Sequence, residues 1–217
     1  MGNSIKIDGV TITRGNTKIG RTLNVSLPPE KTCNHNMPCY KENVCYALRS
    51  CYNLYKGVRS AWDSNWKALV TNRPAYFMAI EQALDRSNLK FFRWHVGGDI
   101  PDADYLRHMV VVAQNHKDVI FWATTKKYDL ARLVRNERRI AGQGCKFPAN
   151  FNLVLSAWPG VPLHPSTKTN WPTAWMLDTK NPDPRIPSDA HHCDGGCDVC
   201  GLCAALKPGQ SVVFEKH

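Results

Sequence analysis

The chain has 217 residues and a formal net charge of +10, from 28 Lys and Arg against 18 Asp and Glu. Hydrophobic residues make up 43% and charged residues 21%, which is typical of a globular chain and excludes a disordered one. No apolar run approaches the roughly 20 residues of a membrane-spanning helix and no signal-peptide segment begins the chain, which predicts a cytoplasmic protein without a membrane partner.

Short strands are predicted in residues 1–30. Apolar and polar residues alternate there, and the turn sequences Asp8-Gly9 and Arg14-Gly15-Asn16 interrupt the alternation. The best strand runs from Thr22 to Leu27 and ends at Pro28-Pro29. A segment rich in Asn, Pro and Cys follows at once, which is not the composition of a regular strand.

Strand and helix patterns alternate through the rest of the chain. The predicted helices are two within Val58–Arg86, one at Pro101–Asn115 and one at Tyr128–Ile140. The predicted strands are Leu89–Val96, Val119–Thr124, Phe151–Ala157, Thr173–Leu177 and Ser211–Phe214. Near-continuous apolar strands separated by helices indicate an α/β fold with a parallel sheet. Because an eight-unit barrel typically needs about 250 residues, we expect an open or partial parallel (β/α) barrel.

We expect a single domain over residues 1–217, with N-terminal strands in 1–30, a cysteine loop in 31–57, an α/β core in 58–180 and a cysteine-rich tail in 181–217. Functional residues gather at the carboxyl ends of parallel strands. The candidate substrate-facing residues near those ends are Arg93, His95, Asp99, Thr124, Lys126 and Ser156.

The first of two cysteine groups follows the N-terminal strands. Cys33, Cys39 and Cys45 are evenly spaced, and Cys51 continues the spacing. Clustered cysteines in a chain without an export signal more often bind metal than form disulfides. Wide spacing is poor for zinc but suits a loop around a [4Fe-4S] cluster, in which three thiolates would leave one iron open. Structural zinc and unligated thiols are the alternatives, and the isolated Cys145 is predicted to be a small hydrophobic residue.

The second cysteine group lies in the tail and consists of Cys193, Cys197, Cys200 and Cys203. Its Cys-x2-Cys-x2-Cys core is similar to the cysteine run of ferredoxins, which predicts an iron–sulfur cluster. Zinc is the alternative metal, because it also accepts four thiolates. These cysteines would hold a second cluster, or would complete the first one if the two segments meet.

A Gly-Gly-Asp sequence ends the strand predicted at Leu89–Val96. Gly97 and Gly98 would let a ligand approach the backbone closely, so Gly97, Gly98 and Asp99 form a candidate cofactor site. Asp99 can accept a hydrogen bond from an ammonium group, or it can cap the following helix. The two-residue period of a strand would place Arg93, His95 and Asp99 on one face.

The order of these motifs resembles that of the phage gene-product-88 family. The resemblance rests on GNTKIGRTLNVSLPPEKTC, VCYA, FRWHVGGDIPDADYL, VIFWATTK and CDVCGLC, which span Gly15 to Cys203. It implies a viral source, and therefore the cytoplasm of a host cell.

A more remote resemblance is to radical S-adenosylmethionine enzymes. Those enzymes place a three-cysteine loop after the first barrel strand and a Gly-Gly-Glu at the end of the second. Cys33, Cys39 and Cys45 would match the loop, and Gly97–Asp99 would match the second motif. The resemblance implies a radical-SAM-like barrel with bound S-adenosylmethionine. The usual Cys-x3-Cys-x2-Cys spacing is absent from this chain, and Asp replaces Glu.

Three functions from different classes follow from these observations. The first is an iron–sulfur enzyme that acts on an unidentified small molecule by radical or Lewis-acid chemistry and receives electrons from a donor. The second is a zinc-stabilised module that binds nucleic acid through its basic residues. Those residues are Lys126, Lys127, Arg132, Arg135, Arg138 and Arg139. The third is a non-catalytic iron–sulfur carrier or redox sensor.

Overall fold

The computed structural model describes residues 4–16, 19–142, 147–163 and 171–215, and it describes Ser50 and Cys51 by their backbone alone. These residues form an α/β fold around one sheet, in which the described part of the chain contributes nine strands. The strands are β1 (Ser4–Ile7), β2 (Val10–Thr13), β3 (Leu23–Val25), β4 (Phe91–Trp94), β5 (Ile120–Thr125), β6 (Phe151–Ala157), β7 (Thr173–Leu177), β8 (His191–His192) and β9 (Ser211–Glu215).

Long helices fill the connections between the central strands, and short ones lie in the cysteine segments. The helices are α1 (Pro29–Thr32), α2 (Pro38–Lys41), α3 (Lys56–Thr71), α4 (Arg73–Asp85), α5 (Ala103–Asn115), α6 (Tyr128–Ile140), α7 (Cys197–Cys200) and α8 (Leu202–Ala205), with a π-helix at Ala47–Tyr52. Among the described residues, no helix has the length and apolar character needed to cross a membrane.

The strands follow the order β1-β2-β3-β4-β5-β6-β7-β9-β8 across the sheet. The first two pairs are antiparallel, and every pair from β3 onwards is parallel, which confirms the predicted α/β fold with a mostly parallel sheet. The sheet does not close, so a barrel is not confirmed. An antiparallel hairpin, β1 and β2, occupies one edge and the two-residue strand β8 the other, whereas closure of this barrel would need parallel strands at both edges.

One face of the sheet, the helix face, is covered by α3 to α6. Consecutive parallel strands joined by right-handed crossovers place their helices on the same side of the sheet. Phe92, Trp94 and Phe121 point to this side and are fully buried against α4, α5 and α6 in the main hydrophobic core. The alternate residues of β4 and β5, such as Arg93 and Trp122, therefore point to the opposite face.

The opposite face, the cysteine face, is covered by the two cysteine-bearing segments. Met37 and Cys39 from the first segment pack against Trp158 and Met176. From the tail, α8 and the residues after it pack on β6, β7 and β9, in a cluster that includes Leu206. The cysteines thus lie in the segments that keep water from the second side of the sheet.

Predicted element bounds agree with the structure where the hydrophobic pattern is strong. The helix at Tyr128–Ile140 and the strands at Phe151–Ala157 and Thr173–Leu177 have the predicted bounds. The strand predicted at Leu89–Val96 is shorter, because His95 adopts a left-handed backbone conformation (φ 58°) directly after β4. The short helices of the cysteine segments were not predicted, since four residues are too few to show a helical period.

Helix starts follow ordinary capping chemistry. The side chain of Asn72 accepts a hydrogen bond from the backbone N–H of Ala75, and Pro74 lies in the first turn of α4. Asp102 caps α5 by accepting from the N–H of Tyr105, and its carboxylate also binds the Arg73 guanidinium at 2.7 Å. Asp102 rather than Asp99 is therefore the helix cap.

Asn65 joins helix α3 to two strands. Its side chain is fully buried, and its Oδ1 accepts from the Thr11 N–H at 2.6 Å. Its Nδ2 donates to the carbonyl oxygens of Thr11 and Ser26, both at 3.0 Å. One amide thus fixes the distance between α3, the N-terminal hairpin and the end of β3.

We expect Asn65→Ala to lower the free energy of unfolding by about 3 kcal/mol, because three hydrogen bonds disappear and buried backbone groups lose their partner. The exposed Lys67 on the same helix is the control, and Lys67→Ala should change the free energy by no more than about 0.5 kcal/mol. Urea denaturation measures both values. Equal effects would contradict the role given to Asn65.

Candidate functional site

A cavity of about 210 Å³ lies on the cysteine face. Side chains from both cysteine groups line it, although the groups are near opposite ends of the chain. The lining cysteines are Cys33, Cys39, Cys45, Cys193, Cys197 and Cys203. Its floor is formed by residues that β4 to β7 and β9 direct towards this face, among them Arg93, Trp122, Thr124 and Met176.

The first cysteine group lies at one end of the cavity, beyond the carboxyl end of β3. Pro29 starts α1, and Cys33 ends it. Burial raises the pKa of Cys33 to about 12; the negative charge of Asp99 acts in the same direction and the positive charge of Lys126 opposes it. Cys39 and Cys45 are the other titratable groups that act on it. Three thiols, one carboxylate and one ammonium group therefore share this end of the cavity.

The second cysteine group is attached to the strands by backbone hydrogen bonds. The N–H of Cys193 donates to the carbonyl oxygen of Val213 at 2.8 Å. The Nδ2 of Asn152 donates to the carbonyl oxygen of Cys203 at 2.7 Å. The left-handed residues Gly196 and Gly201 flank α7, which allows the chain to reverse direction tightly around it.

Arg93 is the basic residue at the second group. Its Nη1 lies 3.9 Å from the Sγ of Cys197 and donates to it. Burial raises the pKa of Cys197, and it raises that of Cys203 to about 12; Arg93 opposes the shift in both cases. The other titratable groups that act on Cys203 are Cys193, Cys197 and Cys200. The titratable groups that act on Cys197 and Cys203 thus come from their own end of the cavity.

The described thiols form neither disulfides nor a group of three ligands around one point. None of the described cysteines is in a disulfide. Within the described residues, no three His, Cys, Asp or Glu side chains lie close enough together to hold one metal ion. Cys145 lies outside the described residues, and nothing is described of the Cys51 side chain.

Asp99 ties three elements together at the rim of the cavity. Its Oδ1 accepts from the Thr125 hydroxyl at 2.6 Å and from the Ile100 N–H at 2.7 Å. Its Oδ2 accepts from the Lys126 N–H at 3.0 Å, and its own N–H donates to the Thr32 hydroxyl. The carboxylate is bound by protein groups and positions both Lys126 and the end of α1.

Gly97 and Gly98 are packed against protein. A Cβ on Gly97 would lie 2.1 Å from the Trp62 ring, and one on Gly98 would lie 2.5 Å from the Leu27 carbonyl oxygen. On the side where a Cβ would project, these Cα atoms contact α3 and the residues after β3, while both glycines also line the cavity. The glycines position the rim of the cavity.

His95 is 3% exposed, and its ring packs 5.4 Å from the ring of Tyr105 on α5. Neither ring nitrogen has a hydrogen-bond partner among the described residues. Burial lowers the pKa of His95 to about 3, so the ring is neutral at physiological pH. The expected alternation of Arg93, His95 and Asp99 does not extend to His95, because its left-handed backbone ends the strand period.

The remaining candidate residues line the cavity with ordinary polar contacts. The Lys126 ammonium lies 5.4 Å from the centre of the Trp158 ring, and the Ser156 hydroxyl accepts from the Trp158 indole N–H at 3.2 Å. Thr124 lies on the same wall. All six substrate-facing candidates thus border one cavity, whereas Asp99 and His95 have mainly structural surroundings.

The apolar wall of the cavity was missed by the sequence analysis. Met176 and Phe214, on β7 and β9, lie on the cysteine face in the same strand register. The two-residue period within each of these strands was the signal for them. That period divides the residues of a strand between the two faces of the sheet. Which of the two sets lines the cavity becomes clear only when the segment that covers one face is known.

The basic residues of the predicted nucleic-acid surface do not form one exposed stripe. Lys126 lies in the cavity, and Lys127 donates from Nζ to the Pro101 carbonyl oxygen at 2.9 Å. Arg135 lies over the Trp171 ring at 5.0 Å. The set is therefore divided between the cavity, the rim and the outer surface of α6.

Comparison with known protein families identifies the family to which the chain belongs. The sequence profile of the gene product 88 family matches residues 10–205, which include both cysteine groups. The chain belongs to the gene product 88 family. This membership confirms the family resemblance. No curated protein and no solved structure matches the chain, so the likeness of this gene product 88 protein to radical S-adenosylmethionine enzymes has no support.

We expect Gly98→Ala to lower the free energy of unfolding by about 3 kcal/mol, because the added methyl meets the Leu27 backbone at a left-handed position (φ 83°). Gly160 is a matched control, with φ 72° and open space around it. Gly160→Ala should lower the free energy of unfolding by only about 1 kcal/mol, because the left-handed backbone conformation is then the sole source of strain. Thermal and urea denaturation of both variants measures the difference, and a cost at Gly98 no larger than at Gly160 would contradict the packing.

Alkylation tests the burial of the thiols. In metal-free, reduced protein at pH 8, iodoacetamide should modify the exposed Cys193 and Cys200 well before Cys33 and Cys203. Only the thiolate reacts, and the raised pKa values of Cys33 and Cys203 keep these groups protonated until the pH approaches about 12. Peptide mass spectrometry over time gives each rate. Equal rates for Cys33 and Cys200 would show that the first segment does not cover the sheet as described.

Proposed function

We propose that this gene product 88 protein is an iron–sulfur protein whose two cysteine groups hold clusters at the cavity of the cysteine face. One observation carries the proposal: six cysteines from two distant segments line a single cavity. The described thiols are free of disulfides, and a reducing cytoplasm would keep them available as ligands.

The spacing of the thiols favours clusters over single zinc ions. A structural zinc site brings four ligands to one ion. Five residues separate Cys33 from Cys39 and Cys39 from Cys45, whereas paired zinc ligands are typically two to four residues apart. An iron–sulfur cluster distributes its thiolates over several irons and needs a wider arrangement.

We assign the two cysteine groups to two separate centres because a different cation lies beside each group. The first centre would use Cys33, Cys39 and Cys45, and the charges of Lys126 and Asp99 act on Cys33 and Cys39. The second would use the four tail cysteines, and the charge of Arg93 acts on Cys197 and Cys203. Three thiolates would leave one iron of the first centre without a protein ligand, and that iron would act as a Lewis acid or donate an electron to a substrate.

The residues beside the first centre would bind that substrate. Lys126 provides a positive charge, while Thr124 and Ser156 provide hydroxyl groups on the same wall. The cavity volume of about 210 Å³ is below the about 300–1,000 Å³ of typical small-molecule pockets. Once a cluster is bound, the remaining room favours a small polar substrate over S-adenosylmethionine.

Iron content tests the proposal. Anaerobically purified protein should be brown, absorb near roughly 400 nm and contain about four or more irons per chain. If there are two centres, Cys39→Ala and Cys197→Ala should each remove about half of the iron, since each variant loses a ligand of a different cluster. Cys145→Ala, at the cysteine isolated in the sequence, should keep the full content. Iron analysis and visible spectroscopy measure these outcomes.

Three results would contradict parts of this proposal. A colourless protein with stoichiometric zinc would exclude the clusters. Loss of all the iron in both cysteine variants would exclude two independent centres. Iron binding without turnover of any small molecule would favour a redox carrier or sensor over an enzyme.

A further inference from the structure

The guanidinium of Arg93 is directed at a thiol. It leaves the middle of β4 on the cysteine face, and its Nη1 donates to the Sγ of Cys197 at 3.9 Å. Its Nε is buried and has no hydrogen-bond partner among the described residues. The ion pairs of the described residues do not include Arg93.

The sheet around Arg93 does not neutralise its charge. Its register partners on β3 and β5 are Asn24 and Trp122, and both are uncharged. Asp99 lies further along the chain, and its carboxylate is occupied by hydrogen bonds from other groups. Among the thiols, Cys197 and Cys203 are the ones on which this positive charge acts.

We infer that Arg93 raises the reduction potential of the cluster held by the four tail cysteines. This inference rests on the proposed function. Reduction adds one electron from a low-potential one-electron donor, and the reduced cluster carries one more negative charge. A fixed positive charge and an N–H donor to a ligating sulfur stabilise that charge, and more strongly in a partly buried site than in water. Arg93 is thus a positioning and tuning residue for this centre rather than a group that contacts substrate.

Lys126 provides a matched comparison. It is the second cation of the same cavity, but its charge acts on Cys33 and Cys39 at the other end. Removing either cation changes the charge of the cavity by the same amount. If the position of the charge determines its effect on the reduction potential, removal of Arg93 should shift the tail centre and removal of Lys126 should shift the first centre.

The test is a redox titration of the anaerobically purified full chain, with dithionite as reductant and electron paramagnetic resonance as readout. Cys39→Ala and Cys197→Ala assign each signal to a centre. Arg93→Met should make reduction of the tail centre at least about tenfold less favourable, a shift of about 59 mV to lower potential for one electron, and leave the first centre unchanged. Lys126→Met should do the opposite. Arg93→Lys keeps the charge without the planar donor group and should give a smaller shift.

The outcomes separate this inference from the proposed function. If two centres are present and neither Arg93 variant shifts the tail centre, the inference is overturned while the iron–sulfur assignment stands. Equal shifts of both centres in both the Arg93→Met and Lys126→Met variants would overturn it as well, because only the total charge would then matter. Wild-type protein without iron overturns both. If Arg93→Met does not fold by circular dichroism, the potential of Arg93→Lys decides: a lower value than wild type supports the inference, and an unchanged value overturns it.

Discussion

The handedness of the strand connections determines where the cysteines lie. Parallel strands that follow one another in chain order, joined by right-handed crossovers, place their helices on one face. The other face of this sheet carries apolar residues such as Trp122, Met176 and Phe214, which have to be covered. Within the described residues, the loop after β3 and the tail after β8 provide that cover. Because both segments are rich in cysteine, the fold brings their thiols to one cavity.

Polar side chains hold the two covering segments in place. At the rim, Asp99 links the ends of β4 and β5 and binds the end of α1 next to Cys33. On the floor, Asn152 of β6 binds the carbonyl oxygens of Cys203 and Leu206. Neither segment contains a long helix or strand. These few side-chain hydrogen bonds therefore fix the position of its backbone, as the backbone hydrogen bonds of a regular element would otherwise do. The Gly-Gly-Asp sequence belongs to this scaffold.

The sequence predicted the sheet well and the site only in part. The bounds of α6, β6 and β7 could be predicted because these elements are long and strongly patterned. The end of β4 could not, since a histidine with positive φ depends on the packing of its ring against Tyr105. We expected a partial barrel from the number of strand and helix units. That number does not predict the antiparallel hairpin that occupies one edge of the sheet. The two cysteine groups line one cavity because the tail packs back over the sheet. The hydrophobic periodicity of short segments does not predict this long-range packing.

The central claim is that the thiols at this cavity bind iron in clusters. X-ray absorption at the iron and zinc edges of anaerobically purified protein tests it most directly, because it reports the metal, its ligands and its metal neighbours together. The account predicts an iron signal with sulfur ligands and short iron–iron distances, and little zinc. Zinc surrounded by four sulfur atoms, with no iron, would contradict it.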